Sequence, residues 1–302
     1  MRKRGHRVRA VVAGMTAVVT AAVLTTGCDV FGGGGSSGTK DSQGASRRQP
    51  KPAPVWDRSP DSIAAVGDSI TRGFDACTVF SDCPEVSWAT GSDARVDSLA
   101  VRLLGVTGAA ERSWNYAVTG ARMADVPDQM AQAVTRGPEL VTVMAGANDA
   151  CRGSVRAMTS VAGFREDFEK ALGTVRTALP KTQVYVASVP NLKRLWAEGR
   201  TDPLGRQVWK LGICPSMLGA SDDLSEAAER RREKVQRRVE AYNAVLKEVC
   251  AKDRRCRFDG NAVFDFRFGT EQLSHWDWFH PSRNGQARLA EIAYRTVTAV
   301  RP

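Results

Sequence analysis

The chain has 302 residues, 42% hydrophobic and 25% charged, a composition that excludes a disordered or fibrous protein and fits a globular one. Its formal net charge is +10, but five of the 43 basic residues (Arg2, Lys3, Arg4, Arg7 and Arg9) stand in the first nine positions. Without them 38 basic residues face 33 acidic ones, an excess of +5 that is too small to indicate a nucleic-acid partner.

Those leading cations precede an apolar stretch, Val11 to Val19, and a small-residue end, Thr25-Thr26-Gly27-Cys28, which together read as an export signal over residues 1–27. The longest apolar run, Ala10 to Leu24, holds roughly fifteen residues and falls short of the ~18 that a membrane span needs. Leu24 to Cys28 resembles a bacterial lipobox, with Thr25 where Leu, Val or Ile is commoner. Acylation of Cys28 would anchor the exported chain to the membrane, and ordinary cleavage and release is the alternative. Residues 28–58, rich in Gly and Ser and then in Pro, read as a flexible tether with a stiffer end. Residues 59–302 remain for one folded domain.

Within it, Ser62 to Val66, Ser113 to Val118, Leu140 to Ala145 and Val184 to Val189 are predicted strands. Val126 to Arg136, Phe164 to Leu179, Asp222 to Ala251 and Arg283 to Val300 carry apolar residues at helical spacing, as in Val235, Val239, Tyr242, Leu246 and Val249. This alternation predicts an α/β fold, a parallel sheet covered by helices on both faces. Pro190 to Ser221 lacks sustained periodicity and contains Gly199, Pro203, Gly205 and Pro215, so a long loop beside the active site is expected there, fastened at Cys214. Arg230-Arg231-Arg232 and Arg237-Arg238 are interleaved with Glu226, Glu229, Glu233 and Glu240 and read as a solvated helix face. The tryptophans Trp88, Trp196, Trp209, Trp276 and Trp278 are expected in the core, with an acyl groove as the competing use.

With Cys28 set aside, six cysteines remain, and in an exported chain an even set reads as disulfides. Six allow 15 pairings. The shortest loops join Cys77 to Cys83 and Cys250 to Cys256, which leaves Cys151 for Cys214 by elimination. No metal site is expected, since the close pairs are separated by more residues than zinc ligands usually are and no Cys lies near a His.

Ligands of open parallel sheets sit beyond the carboxyl ends of the strands, and polar chemistry follows three of them. Gly67-Asp68-Ser69 comes after the first strand, Thr119-Gly120-Ala121 after the second and Gly146-Ala147-Asn148-Asp149 after the third. A serine hydroxyl becomes a competent nucleophile only beside a base such as imidazole, whose pKa is ~6.5. Once His6 leaves with the signal only His275 and His280 remain. His280 is the better base, because Asp277 stands three residues earlier and can hold one ring nitrogen while the other faces the serine. His275 reads as structural. Candidate donors for the oxyanion of an ester intermediate are the backbone N–H groups of Ser69 and Gly120 and the Asn148 amide.

In this order Ser69, Gly120, Asn148 and His280 resemble the four blocks that name the SGNH hydrolases, or GDSL-type esterases and lipases. The resemblance runs from about Ile63 to Ala290 and includes Asn115 to Gly120 and Asp277-x-x-His280. It implies a three-layer α/β/α sandwich around a five-stranded parallel sheet, the flavodoxin-like arrangement of that family, with the serine near the end of the first strand. Ile70 stands where Leu usually follows the serine. Val86 to Gly91, Gly120-Ala121 and Asn148 to Cys151 look similar to a phospholipase-B-like branch, which implies fatty-acyl or phospholipid esters as substrates. An ordinary α/β-hydrolase is disfavoured, because Thr71 occupies the second glycine position of Gly-x-Ser-x-Gly. The expectation is a monomeric, lipid-anchored, extracytoplasmic serine hydrolase of acyl esters that uses no cofactor. An O-acetyl esterase of cell-surface glycans and a non-catalytic binding lipoprotein on the same fold are the alternatives.

Overall fold

A computed structural model describes residues 56–300 of the chain. The expected signal, the Cys28 lipidation site and nearly all of the tether lie outside the described residues. The chain is already packed at Trp56, whose indole N–H donates to the Val297 carbonyl at 2.9 Å while the Arg257 guanidinium covers its ring.

Five parallel strands form one sheet: β1 (Ile63–Gly67), β2 (Ser113–Asn115), β3 (Leu140–Met144), β4 (Gln183–Val186) and β5 (Cys256–Phe258). Their order is β2-β1-β3-β4-β5. Every residue of β1, β3 and β4 is buried, which is why these strands read as unbroken apolar runs rather than alternating ones. Helices cover both faces. On one, α2 (Val126–Ala133), α4 (Val161–Ala178) and α8 (Glu226–Cys250) pack side by side; on the other, α1 (Leu99–Arg112) packs on α10 (Arg283–Thr298). A four-residue helix, α3 (Ala147–Ala150), follows β3, and another, α9 (Ala262–Asp265), follows β5.

Three features differ from the sequence expectation. The segment from 190 to 221 is not a continuous loop: it folds as α5 (Leu192–Gly199), α6 (Pro203–Trp209) and α7 (Pro215–Leu218). Side-chain oxygens of Asn191 and Asp202 accept the N–H three residues on and start the first two, so capping supplies what periodicity lacks. Second, α1 and β5 have no individually predicted counterpart, and β2 ends at Asn115 rather than Val118. Third, the arginines of α8 do not form one solvated face. Arg230 and Arg237 are exposed beside Glu226 and Glu233, whereas Arg232 is fully buried. Its guanidinium lies 4.0 Å from the Trp196 ring centroid and donates to the Asp223 carbonyl at 2.7 Å. Stacking on an indole with a backbone acceptor makes that burial tolerable for a charge.

Disulfides join Cys77 to Cys83, Cys151 to Cys214 and Cys250 to Cys256. The second ties the end of α3 to the start of α7. Trp88, Trp196 and Trp209 are in the core, while Trp276 is largely exposed. Among the described residues no helix is long and apolar enough to cross a membrane.

The first strand closes on the third at Gly67. A Cβ there would stand 2.1 Å from the Met144 carbonyl oxygen, on a backbone at φ +147° that side chains rarely adopt. Gly67→Ala is therefore expected to cost at least ~2 kcal/mol in denaturant unfolding. A midpoint equal to wild type would show that β1 and β3 can move apart there.

Candidate active site

The sheet order reverses between β1 and β3, and the crevice that this opens beyond their carboxyl ends gathers the polar motifs. Ser69 follows β1 by two residues. The chain turns at once: Thr71 and Arg72 N–H groups donate to the Asp68 carbonyl at 3.1 and 3.2 Å, and Phe74 N–H donates to Ser69 O at 3.0 Å. One Asp68 carboxylate oxygen accepts the Ile70 N–H at 3.0 Å and braces the turn. Burial pushes that carboxyl up to about 7, against the opposing pull of the Ile70 N–H.

Two glutamines lock the turn from either side. Gln129, on α2, accepts the Gly67 N–H at 2.7 Å and donates to the Gly67 carbonyl at 3.0 Å. Gln286, on α10, donates to the Ile70 carbonyl at 2.8 Å and accepts the Trp88 N–H at 2.9 Å. Both are buried. Neither was singled out in the sequence, although each interrupts the apolar face of its helix, and that interruption was the available signal.

His280 lies at the end of a loop from 273 to 282 that is held against the turn. Its Nε2 is 2.8 Å from Ser69 Oγ, and its Nδ1 is hydrogen-bonded to Asp277 Oδ2. The other Asp277 oxygen accepts the Phe279 and His280 N–H groups, both at 2.9 Å, and Trp209 on α6 donates to the Asp277 carbonyl at 2.7 Å. The Phe74 ring packs 4.9 Å from the imidazole. Ser69 and His280, 211 residues apart in the chain, are thus within proton-transfer reach of each other.

The electrostatics follow from this enclosure. Burial disfavours the imidazolium, but the Asp277 charge and its hydrogen bond outweigh it and hold His280 above the ordinary imidazole value. Burial likewise opposes ionisation of Asp277, yet the imidazole and the two N–H donors keep it below the usual carboxylate range. The pair favours Asp277 ionised and His280 ready to hold a proton.

After β2 the chain stays beside β1, with Tyr116 and Val118 N–H groups donating to Ala65 and Gly67 at 2.8 and 3.1 Å. It then turns through Gly120, at φ +84°. Asn148, in α3, donates one amide hydrogen to the Ala121 carbonyl at 2.9 Å, leaving the second free. Asp149 accepts the Met123 N–H at 2.9 Å and fixes the far end of the turn. Among the described residues, the N–H groups of Ser69 and Gly120 are claimed by no protein acceptor. Unclaimed N–H donors on the turns that follow β1 and β2 are suited to receiving the oxyanion of an acyl-transfer intermediate. His275 is exposed on the surface, apart from this array.

Among the described residues, two groups of side chains are compact enough to approach a cation: Asp75, Asp277 and His280, and Cys77, Cys83 and Glu85. In the first both ring nitrogens of His280 are already engaged, and in the second both sulfurs form a disulfide. Neither offers a free ligand set.

Residues 63–293 match the sequence profile of the family described as GDSL-like Lipase/Acylhydrolase. The chain belongs to that family. As a GDSL-like acylhydrolase it is a carboxylic ester hydrolase. No sequence among the curated proteins matches it. The fold of this GDSL-like hydrolase is similar to that of an extracellular lipase from Streptomyces rimosus, at 18% identity and a TM-score of 0.43 over 79% of this chain and 99% of the other. It is also similar to a lipase from a goat rumen metagenome, at 16% identity and a TM-score of 0.49 over 76% and 94% of the two chains. A family 3 carbohydrate esterase of Clostridium thermocellum matches at 15% identity and a TM-score of 0.45 over 78% and 94%.

Proposed function

We propose that this GDSL-like hydrolase cleaves fatty-acyl esters, phospholipid esters among them, through an acyl-enzyme formed on Ser69. The observation that carries this is the hydrogen-bonded run from Ser69 Oγ through the imidazole of His280 to buried Asp277. In acylation His280 Nε2 takes the hydroxyl proton as Ser69 Oγ attacks the ester carbonyl carbon. The tetrahedral intermediate then expels the alcohol, which receives that proton from the imidazolium. Water repeats the sequence on the acyl-enzyme, releasing the carboxylic acid and restoring Ser69. Asp277 fixes the ring tautomer and stabilises the imidazolium, while the N–H groups of Ser69 and Gly120 and the Asn148 amide bind the oxyanion.

Support for an acyl chain as substrate comes from apolar side chains in solvent on segments that flank the site. Phe80 is 57% exposed and Val118 56% exposed, and Val79 and Trp276 are also exposed. The export signal and the lipobox-like sequence at Cys28 favour an enzyme anchored on the extracytoplasmic side of the cell membrane, beside such substrates.

A fluorophosphonate is expected to label Ser69 stoichiometrically, read by mass spectrometry of the labelled peptide. Across nitrophenyl esters, kcat/KM is expected to rise about tenfold or more from acetyl to long acyl chains. Absence of labelling would remove the serine mechanism. A preference for acetyl esters and acetylated glycans would replace the lipid substrate with a carbohydrate one.

A further inference from the structure

Asp75 lies six residues after Ser69 and takes no part in the reaction as written above. It is 1% exposed, on a backbone at φ 57° that non-glycine residues seldom adopt. The surroundings over-determine it. Its N–H donates to the Ser81 carbonyl at 3.0 Å, its carbonyl accepts the Ser274 hydroxyl at 2.7 Å, and its Oδ1 accepts the Phe80 N–H. The Cys77–Cys83 disulfide closes the loop around these contacts. A backbone outlier fixed on so many sides, next to a reaction centre, invites a functional reading.

The remaining atom, Oδ2, is buried and has no hydrogen-bond partner. The Asp75 carboxylate nevertheless lies against the Asp277–His280 pair, with ligand atoms of all three residues within 4.8 Å of one another. A carboxylate oxygen cannot hydrogen-bond to a second carboxylate unless one of them carries a proton.

We propose that Asp75 is a positioning residue for the hydrolytic reaction, the fourth member of a chain Ser69–His280–Asp277–Asp75 that acts on the imidazole through Asp277. When Asp75 holds a proton, its otherwise unsatisfied oxygen becomes a donor to Asp277 and steadies that carboxylate on the ring. When Asp75 is ionised, a second negative charge stands behind the imidazolium that forms as Ser69 attacks. Burial first, and then the Asp277 charge, push the Asp75 carboxyl up to about 6, so the two states exchange within the working range of an esterase. The charged groups bearing on Asp75 are Asp277, which raises it, and His280, which lowers it, both from the loop between 273 and 282. Its own segment contributes Arg72 and Asp82, which pair with each other at 3.1 Å.

Asp75→Asn separates this role from a structural one. Asparagine tolerates the same backbone, keeps an oxygen for the Phe80 N–H and keeps a donor toward Asp277. It cannot ionise. The variant therefore imitates the protonated state at every pH. Its kcat/KM is expected to match wild type near pH 5, to level off at a lower pH, and to fall about 3- to 10-fold behind wild type at pH 8, with KM little changed. The His280 ring resonance is expected to titrate at a lower pH in the variant than in wild type. Stability should move the other way: wild type holds a proton that its unfolded chain releases, a penalty that grows from about pH 4 to 6 and persists above. The variant lacks it, so its Tm at pH 8 is expected to rise by about 2–4 °C. Parallel pH profiles, or a constant loss at all pH values with unmoved His280 titration, would overturn the proposal. The inference rests on Ser69 as nucleophile, and the His280 titration is read without turnover. An active Ser69→Ala would therefore sink the mechanism, whereas an inactive Ser69→Ala with an unshifted Asp75→Asn would sink only the role of Asp75.

Discussion

Ser69→Ala is expected to lower kcat for a nitrophenyl ester by about 10,000- to 1,000,000-fold, with KM and Tm close to wild type. The size of the effect follows from what the oxygen does. It lies within hydrogen-bonding distance of the His280 imidazole, and the N–H groups of Ser69 and Gly120 are claimed by no protein acceptor among the described residues. Removing it leaves those donors and the substrate contacts in place, so a residual rate above that in water is expected from oxyanion binding alone. The turn itself should survive. It is held by the Asp68 carboxylate, by Gln129 and by Gln286, none of which uses the Ser69 hydroxyl. Stopped-flow acylation provides the sharper reading, since wild type should release a burst of nitrophenol and the variant none. More than a tenth of wild-type activity in Ser69→Ala would mean that another group attacks the ester.

The legible parts of the sequence were those in which one element alone carries the signal. β1, β3 and β4 are buried on both faces and so spell apolar runs, and the motif residues follow the ends of β1, β2 and β3 in chain order. By contrast β5 is a three-residue edge strand, too short to establish a period, and for β2, equally short, the start at Ser113 is legible but not the end. The helix α1 is interrupted at Gly105, which takes φ 71°, and its small residues blur the apolar stripe. Between 192 and 218 the helices are brief and owe their existence to caps, to the Cys151–Cys214 link and to contacts such as Arg232 on Trp196. Composition cannot reveal those contacts. The candidate site divides in the same way. Asp277 and His280 are three residues apart, so their relation is local and readable, whereas Asp75 meets them only after some 200 residues have folded between.

Asp277→Asn is expected to reduce kcat by about 10,000-fold while leaving the fold intact. In the native site Asp277 Oδ2 accepts from His280 Nδ1, which leaves Nε2 as the acceptor facing Ser69. An asparagine can still accept the Phe279 and His280 N–H groups through its oxygen, so the loop keeps its shape. Its NH2 then faces Nδ1. Two donors cannot face each other, so the ring adopts the other tautomer and presents an N–H to Ser69 in place of a lone pair. The pH profile carries the same information with a definite sign. Because Asp277 holds His280 above the ordinary imidazole value, wild-type kcat/KM is lost as pH falls through that raised value. Without the charge the imidazole gives up its proton at lower pH, so the variant's acid limb moves down even as its plateau collapses. Stability responds at the other end of the scale. The depressed Asp277 carboxyl stabilises the fold above its unfolded value of ~3.9 and stops doing so as pH falls through its folded value. Wild type and variant are therefore expected to differ most near neutrality and to converge in strong acid. An Asp277→Asn enzyme with wild-type turnover and an unmoved acid limb would require some other group to fix the ring, and the buried Asp75 carboxyl is the only further carboxylate clustered with His280 and Asp277 among the described residues.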